Sequence, residues 1–143
     1  MAGFADTINE FVLQFDEGVE NTMRATAIAT FTGVIKGSPV DEGTFRGAWV
    51  ASDGNVASGA SSHSSESAVT SAMTNKILGL PKWDEFTFTN NLPYALVIEY
   101  GLYGDGPKTV GGYSKQAPAG VVRVNIAQSQ RLLEQEARRR LPR

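Results

Sequence analysis

Apolar residues in the first part of the chain recur at helical steps: Phe4, Ile8, Phe11, Phe15, Val19 and Met23 stand three or four positions apart. That spacing gathers them on one face of an α-helix. The pattern runs on less cleanly through Ile28, Phe31 and Ile35, then stops at Gly37-Ser38-Pro39, where glycine favours a helix end and proline cannot continue one. One unbroken helix over residues 4–36 would be about 50 Å long, at about 1.5 Å per residue. A compact chain of this size is only about 40 Å across. The helix would therefore overhang its own domain, unless Gly18 or the Thr-rich middle divides it.

Past the stop, residues 48–51 (AWVA) read as a short strand, and residues 52–67 are nearly all small and polar, a flexible loop unable to bury itself. Residues 68–80 predict a short helix carrying Val69, Met73, Ile77 and Leu80 on one face, ended by Pro81. Residues 85–89 alternate as a strand does, and Asn90-Asn91 turns it. The apolar run 94–100 is too short for its period to choose between helix and strand. Residues 101–116 form a second loop, rich in glycine, with 102–116 its flexible part. From Pro118 onward, Val122, Ile126, Ser129, Leu133 and Ala137 share a helical face, with Pro118 suited to a first turn. The alternation Val122, Val124, Ile126 also allows a strand at its start. The sum is one α+β domain over residues 1–143. A long N-terminal helix and a C-terminal helix pack on a small antiparallel sheet, with two flexible loops.

Composition narrows the function. At 143 residues the chain can bury one core, and with no cysteine it has no disulfide framework, thiolate metal site or cysteine nucleophile. A net charge of -2 gives no argument for a nucleic-acid surface. No apolar run approaches the roughly 18 residues that span a bilayer. The start, MAGFADTINEF, lacks the basic and apolar regions of a signal peptide, so a cytosolic or particle-borne protein is expected. Charge is polarised: Asp6, Glu10, Asp16, Glu17 and Glu20 load one end, and Arg131, Arg138, Arg139, Arg140 and Arg143 the other. Two readings fit. The charges complement the dipoles of the first and last helices, or opposite ends meet between neighbouring subunits.

Candidate chemistry is sparse. The segment 101–109 (GLYGDGPKT) nearly matches the phosphate-binding GxxxxGK[ST], but Pro107 displaces the lysine and removes a backbone donor. His63, the lone histidine, sits among serines with nothing to orient it as a base, and reads as a solvated loop residue. One histidine and scattered carboxylates give no metal-ligand spacing, and no cofactor is expected. The adjacent acids Asp41-Glu42 and Asp84-Glu85 point apart on any regular element, so caps or surface charges are the simpler reading. What remains is the dense run 38–49, SPVDEGTFRGAW. Ser38-Pro39 ends the first helix, Asp41 can cap a following turn, and Phe45 and Trp49 supply large anchors. That describes a structural corner.

Three segments carry a family resemblance: 34–49 (VIKGSPVDEGTFRGAW), 91–101 (NLPYALVIEYG) and 116–123 (QAPAGVVR). Together, in this order, they resemble the neck and tail-completion proteins of long-tailed bacteriophages, subunits of the head–tail junction. The family pattern runs from a helix to an SPVDTG-Arg-Trp corner, an N-x-PYA-x-x-IE-x-G segment and a QAP-G entry to a last helix. Here Glu42 replaces the usual Thr, and the Gly-rich stretch 102–114 departs from shorter versions. The resemblance implies a non-enzymatic virion protein that joins tail to head as a ring of copies of itself, contacting neighbouring neck and tail proteins. DNA would pass through the ring without sequence-specific binding, and no membrane is involved. Its structural and assembly residues would be Ser38, Pro39, Asp41, Arg46, Trp49, Pro93, Tyr94, Glu99, Gly101 and Pro118. A tail-terminator or tail-tube subunit is the alternative within this class, and a small hydrolase or nucleotide-binding enzyme the alternative outside it. Arg46 and Glu99, each the lone charge in an apolar motif, are predicted to form an ion pair, since unpaired charges are costly to bury.

Overall fold

The computed structural model describes residues 3–41, 43–59 and 62–142. Glu42 of the acid pair, Ala60 and Ser61 of the first loop, and Arg143 of the basic end lie outside the described residues.

The periodic first segment is a single helix, α1 (Phe4–Gly37), which neither Gly18 nor the threonines interrupt. The Asp6 carboxylate accepts the Gly3 N–H at 3.2 Å and closes its start. There follow α2 (Thr44–Gly47), β1 (Trp49–Asp53), α3 (Glu66–Leu78), β2 (Phe86–Asn90), α4 (Ala95–Tyr100), β3 (Thr109–Val110), β4 (Tyr113–Ser114) and α5 (Val122–Arg140). β1 and β2 pair antiparallel, Trp49 opposite Asn90 and Asp53 opposite Phe86. β3 and β4 form a separate small hairpin inside the Gly-rich loop. The fold is the α+β arrangement that the pattern predicts. The ambiguous run 94–100 resolves as helix, and so does the start of α5.

Helical and strand periodicities converge on one core. α3 is capped by Ser65, whose hydroxyl accepts the Ala68 N–H at 3.1 Å. It turns Val69, Met73 and Ile77, spaced four apart, onto Val34 and Ile35 of α1. Phe31 stacks on Phe88 at 4.6 Å between ring centres, and Phe88 on Trp49 at 4.9 Å, so an aromatic column joins α1 to both long strands. Burying a side chain of this size contributes about 1.5–3 kcal/mol.

α5 enters the core through Val121, just before its first turn, and then lies antiparallel along α1. Asn125 near its start faces Gly33, while the Arg140 carbonyl and Leu141 at its end face Gly18. A Cβ on Gly18 would stand 2.8 Å from that carbonyl oxygen, so a side chain there would push the end of α5 away. The end of α5 thus lies against Gly18 of the same chain, and its Arg139 and Arg140 pair with Glu136 of α5 itself. Residues 4–17 continue past the end of α5 for about 20 Å. They leave Phe4 84 % and Leu13 68 % exposed, with Ile8, Phe11, Val12 and Phe15 exposed as well.

Pro118 does not occupy the first turn of α5. The helix begins at Val122, and Pro118 makes an isolated bridge with Gly120 ahead of it. The reason lies in what caps α5.

Candidate functional site

The corner after α1 is built around the helix end. Ser38 is fully buried; its hydroxyl donates to the Val34 carbonyl at 2.7 Å and accepts the Trp49 Nε1–H at 2.9 Å. Pro39 prevents further helix. Arg46, on the short α2, turns back and donates to the carbonyls of Lys36 at 3.0 Å and Ser38 at 2.8 Å, and pairs with Glu66 at 2.9 Å. A guanidinium on the last carbonyls of a helix satisfies orphan acceptors and complements the dipole. Trp49 meets Phe45 edge-on at 5.8 Å. Asp41 does not cap the next turn: α2 begins from Gly43 without a side-chain cap, and Asp41 instead makes an exposed pair with Lys108 at 3.3 Å.

The second segment clasps what surrounds it. Asn90, the last residue of β2 just ahead of it, donates to the Phe45 carbonyl at 2.9 Å, and Asn91 donates to the carbonyls of Ala57 and Gly59, each at 2.8 Å, holding the serine-rich loop. Pro93 leads into α4 and Tyr94 is its N-terminal boundary residue, with its ring 6.1 Å from Phe45. Gly101 closes α4 with φ of 67°, and the Tyr113 ring lies where a Cβ would be, so position and conformation both call for glycine.

Glu99 does what the predicted ion pair did not foresee. Its side chain is 13 % exposed, and its carboxylate accepts the N–H groups of Val121 at 2.7 Å, Val122 at 2.8 Å and Arg123 at 2.9 Å, and the Arg123 Nε–H at 3.0 Å. Val121, at the N-terminal boundary of α5, has no side-chain acceptor to offer, so a carboxylate from α4 caps the helix instead. Arg46 and Glu99 are therefore not partners. Each serves the helix terminus of opposite charge nearest to it, and Glu99 sets where α5 can start. Burial pushes the Glu99 carboxyl up, but the three backbone N–H donors and Arg123 outweigh it and hold its pKa below the ordinary 4.5. The Arg123 pKa is raised, by the Tyr113 hydroxyl first and by Glu99 second, and its guanidinium stacks over Tyr100 at 4.6 Å.

The third segment closes the ring of contacts. Gln116 accepts the Val40 N–H at 2.8 Å and donates to the Val40 carbonyl at 2.9 Å, imitating a strand pair with its side-chain amide. Between the corner and the β3–β4 hairpin lies an open cleft of about 720 Å³, with Val40, Phe45, Tyr94 and Ile98 among its walls and Lys108 and Gln116 at its rim.

Two residues outside the singled-out set take part. Arg24 of α1, its side chain 10 % exposed, donates to the Ile77 carbonyl and, at 2.8 Å, to the Leu80 carbonyl, closing the end of α3. Arg123, the last residue of the third segment, is the other. For Arg24 the available signal was a lone base on an otherwise apolar and small-residue stretch of α1. His63 is half-buried, and its N–H donates to the Gly47 carbonyl at 2.9 Å. In the glycine-rich segment Lys108 is engaged by Asp41, the Thr109 hydroxyl donates to Gly104, and a hairpin follows in place of a helix. Among the described residues no group of three potential ligands could hold a metal ion, and no helix is long and apolar enough to cross a membrane. No family model, curated protein or solved structure matches this chain.

Proposed function

We propose that this chain is a structural subunit of the bacteriophage head–tail junction, a neck or tail-completion protein that joins tail to head as a ring of its own copies. One observation carries the reading. The three segments that resemble that family are far apart in sequence yet linked in every pairing: Val40 to Gln116, Phe45 to Tyr94, and Glu99 to Val121, Val122 and Arg123. Their polar groups act as caps and clasps, which is the work of a scaffold that presents surfaces. The overhanging end of α1 is such a surface, and in a virion it would meet other subunits. A tail-tube or tail-terminator subunit would call for more strand than two two-stranded sheets.

Disrupting the gene in the phage that encodes the chain tests this by electron microscopy. Filled heads beside unattached tails, restored to joined particles by the intact gene, are expected. Joined, infectious particles in the absence of the chain would overturn the reading.

A further inference from the structure

We infer that the overhanging end of α1 docks on the outward side of α5 of a second copy of this chain. This deepens the ring-subunit reading and rests on it for its setting. The first observation is continuity. Gly18 and Gly33 mark the stripe of α1 that α5 covers, and Phe4, Phe11 and Phe15 continue that stripe at the same helical spacing beyond the end of α5. A helix seam built for α5 thus runs on uncovered for about four turns.

The second observation is charge. Residues 4–17 carry Asp6, Glu10, Asp16 and Glu17 and no base, with Asp16 one turn from Val12 on the border of the stripe. Two such ends laid together would set acid against acid, so a symmetric pairing of overhangs is disfavoured. The occupant must be apolar and basic. The exposed surface of α5 offers both: Ile126 is 55 % exposed and Leu133 is exposed on the flank bordering its contact with α1, and Arg131 and Arg138, further round on the side away from α1, make no ion pair among the described residues. Glu134, the acid on this side, stands three residues from Arg131 and four from Arg138.

Because the overhang and α5 are different surfaces, the contact is heterologous, and repeated it generates a ring or an open filament. A helix of this length covers well under the roughly 800 Å² per partner of a stable complex. The isolated contact is therefore weak and gains strength when a ring closes and every copy is held twice.

The absence of native cysteine makes a disulfide test clean. Full-length Val12→Cys and Gln130→Cys proteins are purified, mixed and oxidised. Cross-linked dimer in the mixture, well above either protein alone and above a Lys82→Cys control, is expected. Adding Glu10→Lys and Asp16→Lys to the first protein should lower the yield about tenfold. Adding Arg131→Glu and Arg138→Glu to the second should restore it. Val12→Cys linking mainly to itself, a mixture no better than the control, or indifference to both charge reversals would overturn the inference. The assay uses purified chain alone, so its failure leaves the particle test standing. Joined particles without the chain would in turn not erase a charge-dependent cross-link.

Discussion

Replacing Glu99 with alanine removes four hydrogen bonds to one carboxylate and exposes the start of α5 without an acceptor. Loss of an N-terminal cap costs about 1–2 kcal/mol. Loss of a partly buried negative charge at the positive end of the helix dipole adds up to about 2 kcal/mol. A total near 3 kcal/mol follows, which in a domain of this size lowers the melting temperature by about 10 °C. Glu99→Gln keeps one acceptor oxygen and loses the charge, so it should fall about midway. The pH dependence carries a sign. A carboxyl whose pKa is lower in the folded chain contributes fully above its ordinary 4.5 and loses that contribution as pH falls through the folded value. The gap between wild type and Glu99→Ala should therefore be level above about pH 5 and narrow below it. Urea titrations of the three proteins at several pH values measure this. A Glu99→Ala protein within about 0.5 kcal/mol of wild type, the range of ordinary surface changes, would refute the capping argument. So would a gap that widens in acid.

Arg24→Leu should cost about 2–4 kcal/mol in a denaturant titration, because the carbonyls of Ile77 and Leu80 lose a charged donor in a buried setting. Arg46→Met should cost about 2 kcal/mol through the Lys36 and Ser38 carbonyls, whereas Glu66→Ala should cost no more than about 1 kcal/mol, since that half of the pair is solvated. Equal losses for the two would mean that the ion pair, and not the helix end, is what Arg46 serves. Thr30→Val should raise the melting temperature by a few degrees, about 1 kcal/mol, because the buried Thr30 hydroxyl has no hydrogen-bond partner among the described residues.

The elements that periodicity could see were legible. The repeat from Phe4 to Met23, the terminator at residues 37–39 and the alternation at 85–89 each became an element within a few residues of its expected bounds. The overhang was legible too, since it follows from helix length against domain diameter. The pairing of charges was not. Glu99 and Arg46 are charges that need partners, and besides Arg123 and Glu66 those partners are backbone groups at helix ends, which have no letter in the sequence. Nor could it be read that α1 and α5 run antiparallel in contact, which sets the end of α5 against Gly18 and leaves the acidic residues before it beyond the reach of that helix. The same blindness displaced Pro118 from the first turn: its side chain suits that position, but the start of α5 is chosen by an acceptor twenty-two residues upstream of Val121.

The remote caps bear on the order in which the chain can fold. Arg24 closes α3 from 53 residues away, and Glu99 opens α5 only once α4 has formed and turned at Gly101. In isolation α3 lacks the closure of its last turn and α5 the cap of its first, so each must wait for long-range contacts, and such contacts slow folding through the entropy of closing large loops. During synthesis α1 emerges before the elements that cover it, with its apolar stripe bare, and α5 emerges after the rest of the core. Until α5 arrives, the newborn chain presents more apolar helix surface than the finished one. The step that shields the folded body is thus the same step that leaves the overhang as the one uncovered length of that stripe.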